Sequence, residues 1–182
     1  MAVILGNKQI KGLALGARTV SEMYLGSHLI YANQGDIFKD GKLMDGVTLS
    51  AIQKRDEDLY LAVARGMQTG PSFVNAVGYV LFDMTPYKTI TVRGTTWCFG
   101  FSQNNYNKRL GIDAATAGQG IELPAGFNDL FDRGNRAEFE QVFDVESLTG
   151  THSLAAYVAA NNVSSYYGCG SYISIREIIG GR

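Results

Sequence analysis

Chemistry in this chain is sought first among its rarest polar residues, because catalysis needs particular groups at particular spacings. Histidine occurs only at 28 and 152. No pair of these has zinc-ligand spacing, and Cys98 and Cys169 form no Cys-x-x-Cys pair. Gly168-Cys169-Gly170-Ser171 does not have the Gly-x-Ser-x-Gly form of a nucleophile elbow. Phosphate-loop and dinucleotide fingerprints are absent from the sequence. Two carboxylates would suffice for a glycosidase, and Asp129, Asp132, Glu138 and Glu140 cluster in sequence. Alternation places Glu138 and Glu140 on the solvent face of a strand whose Phe139 and Phe143 face inward. Asp36, Asp40 and Asp45 lack the alternating Asp-x-Asp-x-Asp-Gly spacing of a calcium loop and read as turn residues. The sequence thus assigns no catalytic residue, no metal and no cofactor.

Glycan binding is the better-supported chemistry. Sugars present apolar C–H faces to aromatic rings and hydroxyls to amides. Asn104, Asn105 and Tyr106, followed by Asn107, form one candidate loop, and Asn161, Asn162, Tyr166 and Tyr167 form another. Trp97, between Thr96 and Cys98-Phe99, reads as a core residue. The structural alternative for both loops is turn asparagines with the half-buried tyrosines of any sandwich.

The elements that must position these residues read as strands. Glycine numbers 22 and proline 3 in 182 residues, as expected of many short strands joined by glycine turns. Leu59-Tyr60-Leu61-Ala62-Val63-Ala64, Val77 to Phe82, Thr89 to Val92, Thr96 to Phe101 and Tyr172 to Ile178 carry strand patterning. Segments 135–143 and 154–160 have some helical character, but their bracketing turns favour strands. The fold class is all-β: a short N-terminal three-stranded β-meander followed by a jelly-roll-like β-sandwich, as residues 1–34 and 35–182.

The meander rests on a repeat. Leu5-Gly6-Asn7-Lys8-Gln9-Ile10, Leu15-Gly16-Ala17-Arg18-Thr19-Val20 and Leu25-Gly26-Ser27-His28-Leu29-Ile30 share Leu-Gly-x-basic-x-aliphatic at a spacing of ten. A unit this small buries too little apolar area to stand alone. Leu5, Ile10, Leu15, Val20, Leu25 and Ile30 are therefore the expected assembly contact. A homo-oligomer follows, with a trimer as the first expectation.

Net charge is −1, which disfavours a broad nucleic-acid-binding face. No basic region precedes an apolar run as in a signal peptide, and no apolar stretch is long enough to insert in a membrane. Two cysteines make no disulfide framework, and buried thiols are the expectation.

The stretch Leu15-Gly16 through Val20, Tyr24-Leu25-Gly26-Ser27 and Leu29-Ile30-Tyr31 resembles a short module of tailed-bacteriophage structural and tail-tip proteins. Residues 82–92 together with 143–152 resemble jelly-roll domains of phage fibre proteins and carbohydrate-binding modules. The resemblance implies a non-enzymatic virion protein (fibre, tail-tip or head-decoration component) assembled in the bacterial host cytoplasm. Its partners would be other virion proteins and a cell-surface glycan. The alternative is a bacterial carbohydrate-binding module, free-standing or attached to an enzyme.

Overall fold

The computed structural model describes residues 34–65, 72–99, 105–114, 128–129, 136–162 and 169–182, together with short paired strands within 4–32. In chain order the strands are β1 (Ile4–Leu5), β2 (Lys8–Gln9), β3 (Ala14–Leu15), β4 (Arg18–Thr19), β5 (Glu22–Leu25) and β6 (His28–Ala32). There follow β7 (Gln34–Lys39), β8 (Lys42–Leu43), β9 (Thr48–Ser50), β10 (Gln53–Arg55), β11 (Asp58–Arg65) and β12 (Ser72–Asp83). The last are β13 (Thr89–Phe99), β14 (Asn105–Ile112), β15 (Asn128–Asp129), β16 (Ala137–Asp144), β17 (Thr151–Asn162) and β18 (Cys169–Gly181).

Two antiparallel sheets face each other. The larger runs β10-β11-β18-β13-β16, with β7 on β18 and β8 on β7. The smaller runs β15-β14-β17-β12-β9. Strand β18 holds the larger sheet together: β13 pairs along one side, while β11 and β7 share the other along successive stretches. Period-2 alternation turns one row from each strand inward. Leu59, Leu61, Ile90, Val92, Ile173, Ile175 and Ile178 from the larger sheet meet Val80, Phe82, Leu110, Leu154, Ala156 and Val158 from the smaller. The architecture is the all-β sandwich expected from the sequence, and segments 137–144 and 151–162 are strands.

Two details differ from the sequence reading. Among the described residues the N-terminal repeat forms two-stranded pairs, β1-β2, β3-β4 and β5-β6, where the sequence reading expected one three-stranded meander. In every copy the Leu of the motif is the cross-strand partner of the basic residue: Leu5 of Lys8, Leu15 of Arg18, Leu25 of His28. Two residues between partners is the spacing of the shortest hairpins, so the ten-residue period counts hairpins rather than strands. Of the expected assembly residues, Leu5, Leu15, Leu25 and Ile30 lie in these strands; Ile10 and Val20 lie outside the described residues. The second difference is that Thr89 to Val92 and Thr96 to Phe99 belong to one strand, β13. Its register against β18 shifts between Arg93 and Gly94. A Cβ at Gly94 would overlap the Ser174 carbonyl oxygen and sit 2.9 Å from Phe139 Cζ and 3.0 Å from Ile175 Cα. Only glycine permits β13 and β18 to approach this closely here.

Candidate functional site: an aromatic row on the outer face

The alternation that buries Leu59 and Leu61 on β11, and Ile173 and Ile175 on β18, turns Tyr60, Tyr172 and Ser174 outward. On β13 the phase opposite Thr96 and Cys98 carries Thr95 and Trp97; Trp97 is exposed, while Thr95, like Ser174 beside it, is covered by its neighbours and buried. Strand register then aligns two outer rows, Tyr60–Ser174–Thr95 and Ala62–Tyr172–Trp97.

The result is a strip of three aromatic rings across three neighbouring strands. Tyr60 and Tyr172 have centroids 5.1 Å apart at 40° between planes. Tyr172 and Trp97 are 5.6 Å apart at 53°. Trp97 is 37% exposed, which corrects its assignment to the core: a ring this large facing outward keeps more than a third of its surface in solvent.

A groove of about 570 Å³ lies against two of these rings, Tyr60 and Tyr172. Tyr60, Tyr172, Thr95 and Ser174 line it, with Arg55, Asp56, Glu57 and Asp58 from the β10–β11 hairpin and Arg136 from the start of β16. Trp97 extends the aromatic surface beyond Tyr172. Arg55 is held in place: its Nε and Nη2 donate to Gln53 Oε1 at 3.2 and 3.0 Å, and its guanidinium lies 4.4 Å from the Tyr60 ring centroid. The Ser174 hydroxyl donates to the Asp58 carboxylate. Partial burial raises the Tyr60 hydroxyl above the usual phenol range, Tyr172 adds to this, and Arg55 opposes it. The phenol is therefore a neutral donor at physiological pH. Beside the groove, Arg93 pairs with Glu140 at 2.6 Å and with Glu177 at 3.1 Å, and Arg176 with Glu138 at 3.2 Å. Glu138 and Glu140 are thus on the solvent face, as alternation predicts, and both are occupied by ion pairs.

A second polar cluster joins β14 to β17. His152 Nδ1 and Asp113 Oδ2 are 2.6 Å apart, and His152 Nε2 lies 3.0 Å from the Thr149 carbonyl oxygen. Asp113 Oδ1 also accepts from Ser153 N at 2.9 Å and Ser153 Oγ at 3.2 Å. Serine, histidine and aspartate are all present, but the hydroxyl faces the carboxylate and not the imidazole. Both ring nitrogens face oxygen acceptors. The hydrogen bond to Asp113 is the main cause holding His152 above the ordinary imidazole pKa, with Thr149 second. For Asp113, partial burial pushes its carboxyl up, but the hydrogen bonds from Ser153 and His152 outweigh it and hold it below the ordinary carboxylate range. The cluster is a clamp between strands.

Of the glycan-binding residues read from sequence, Asn105 and Tyr106 are in β14, and Asn161 and Asn162 end β17; they are strand residues and not loop residues. Pairing sets Asn105 opposite Asn161 and Tyr106 opposite Ala160, with Phe73 on the other side of Asn161. The two sequence-distant groups therefore meet at one end of the smaller sheet. Asn104, Tyr166 and Tyr167 lie outside the described residues. Sequence reasoning missed Tyr60 and Tyr172, although each sits at the outward phase between inward neighbours. Among the described residues no three His, Cys, Asp or Glu side chains converge as a metal site requires.

No family model and no curated protein sequence matches the chain. Several solved structures are similar, among them the following three. The potassium-bound carbohydrate recognition domain of Emp46p is 10% identical, with a TM-score of 0.36 over 80% of this chain and 95% of that one. The N-terminal cellulose-binding domain of a Cellulomonas fimi β-1,4-glucanase is 12% identical, with a TM-score of 0.32 over 75% and 89%. The metal-free Emp46p domain is 11% identical, with a TM-score of 0.30 over 78% and 91%.

Proposed function

We propose that the chain is a glycan-binding β-sandwich whose ligand lies on the outer face of the seven-stranded sheet. The observation that carries this reading is the strip Tyr60–Tyr172–Trp97, whose first two rings line an open groove edged by polar side chains. Aromatic rings left partly in solvent have a cost unless something covers them. A pyranose ring does so with its C–H face while its hydroxyls meet Arg55, Asp58 and Arg136 around it. The test is a glycan array probed with the full chain and with Trp97→Ala. Wild type binds a defined set of glycans; Trp97→Ala, with an unchanged melting temperature, loses about tenfold in affinity, equivalent to ~1.4 kcal/mol. An array without any bound glycan, or a Trp97→Ala variant that binds as wild type does, refutes the proposal.

A second reading concerns the context in which the sandwich works. The three hairpins at the N-terminus, each built on the same Leu–basic cross-strand pair, favour an attachment module. In that reading residues 1–34 assemble the chain into a particle, as in phage structural proteins, and the sandwich serves as its host-surface adhesin. The sandwich's first strand, β7, begins at Gln34, paired with Gly181. Deleting residues 1–33 therefore leaves β7 whole. The truncated chain should remain folded and lose its oligomeric state in light scattering; a full-length chain that is already a monomer at micromolar concentration excludes the assembly role.

A further inference from the structure

Building on the glycan reading, we infer that the groove takes a single neutral oligosaccharide chain, laid across the strands along Tyr60, Tyr172 and Trp97. It does not take the face of a crystalline polysaccharide or a polyanion. The first part rests on the ring planes. A crystalline polymer presents a flat lattice, which touches several rings at once only if they are coplanar. Here successive rings turn by 40° and 53°. A plane resting on one ring meets the next at its edge and forfeits the contact, since dispersion attraction falls off within an ångström of optimal separation. A single chain rotates about its glycosidic bonds and presents a sugar face to each ring in turn. It also exposes its hydroxyl edges to the polar side chains that line the groove, Asp56, Glu57, Asp58 and Arg136. A chain inside a crystal has those edges occupied by its neighbours.

The charge of the lining carries the second part. Three carboxylates, Asp56, Glu57 and Asp58, stand against two guanidinium groups, Arg55 and Arg136. Arg55 is already committed to Gln53 and to the Tyr60 ring. The cations flanking the strip, Arg93 and Arg176, are held by Glu140, Glu177 and Glu138. A uronic-acid polymer would meet no excess of positive charge and would bring its own charges against the 56–58 carboxylates. Neutral hydroxyls find donors and acceptors of both kinds at no such cost.

The experiment uses the full chain in native gels containing hydroxyethyl-cellulose, mannan, dextran or polygalacturonate, and in sedimentation with microcrystalline cellulose and chitin. The expected result is retardation by at least one of the three neutral soluble polymers, unchanged by added salt, and no sedimentation with either solid. Trp97→Ala and Tyr60→Ala should each weaken the retardation about tenfold; the second variant decides if the first fails to fold. Sedimentation with the solids, or salt-sensitive retardation by polygalacturonate alone, overturns this inference and leaves the glycan reading standing. A chain that is neither retarded nor sedimented, and that binds nothing on the array, overturns both.

Discussion

Replacing Gly94 by alanine should separate the two strands that carry Tyr172 and Trp97. The added methyl would overlap the Ser174 carbonyl oxygen, and it would also press on Phe139 Cζ at 2.9 Å and Ile175 Cα at 3.0 Å. Two of these three neighbours are backbone of β18 and cannot rotate aside. Overpacking in a closed core costs about 1–3 kcal/mol. Parting β13 from β18 at the register shift also weakens adjacent ladder hydrogen bonds, at about 1 kcal/mol each. A total near 3 kcal/mol is expected, which for a chain of this size lowers the melting temperature by about 6–12 °C. Trp97 is the single tryptophan in the chain, so its emission reports both unfolding and local loosening three residues from the substitution. The comparison is Gly46→Ala. There the methyl meets nothing within 4 Å, and only the positive φ of 84° is strained, at about 1–2 kcal/mol. Gly94→Ala should melt clearly below Gly46→Ala and shift the folded-state emission. If it melts no lower, the close approach of β13 and β18 is not what fixes glycine at 94, and the reasoning is refuted.

Three further outcomes are expected. Because the folded pKa of His152 is raised above its ordinary 6.5, the clamp's contribution is fully present below that value and is lost as pH rises through the folded pKa. Asp113 is depressed below 3.8, so its contribution is present above that value and is lost as pH falls through the folded pKa. The melting-temperature gap between wild type and His152→Gln should thus be widest between about pH 4 and 6.5 and narrow on the alkaline side; a gap that widens there contradicts the clamp. Cys98 and Cys169 are buried thiols outside any disulfide. Added reductant should leave the melting temperature unchanged, whereas a fall corresponding to ~2–4 kcal/mol would reveal a bridge. Asp58→Ala leaves the Ser174 hydroxyl without its acceptor at a part-buried position; a loss of roughly 1–3 kcal/mol in denaturant titration is expected, and none would mean solvent replaces the bond.

Strand patterning was legible because alternation is local: Leu59, Leu61, Ile173 and Ile175 mark inward phases within five residues of sequence. The site was not, because it depends on register between distant segments. Tyr60 and Tyr172 touch only because β11 pairs with β18 so that Tyr60 opposes Ser174. Neither strand announces its partner. Trp97 misled for another reason. The inward neighbour on its strand is the small Cys98, so the larger apolar residue reads as core although it sits at the outward phase. The two asparagine-rich segments were found, but reading them as loops missed that β14 and β17 zip them together at Asn105 and Asn161. The N-terminal period was read with the right spacing and the wrong unit, since a ten-residue repeat fits either one strand with its turn or one short hairpin.

Trp97 and Tyr172 are carried on β13 and β18, which pair from Thr89–Gly181 through to Phe99–Gly170 in the middle of the larger sheet. Recognition surfaces are more often carried on loops, which must be ordered as the ligand arrives. Here the rings already restrict one another, so the entropy cost of about 0.5–1.5 kcal/mol per immobilised side chain falls largely on folding and not on encounter. On the glycan-binding proposal, capture of a ligand needs no preceding rearrangement, and the expected observed rate rises in proportion to ligand concentration without reaching a plateau. Differences among ligands appear in how long each one stays. A surface of this kind samples many weak encounters quickly and keeps those whose shape follows the turn of the rings.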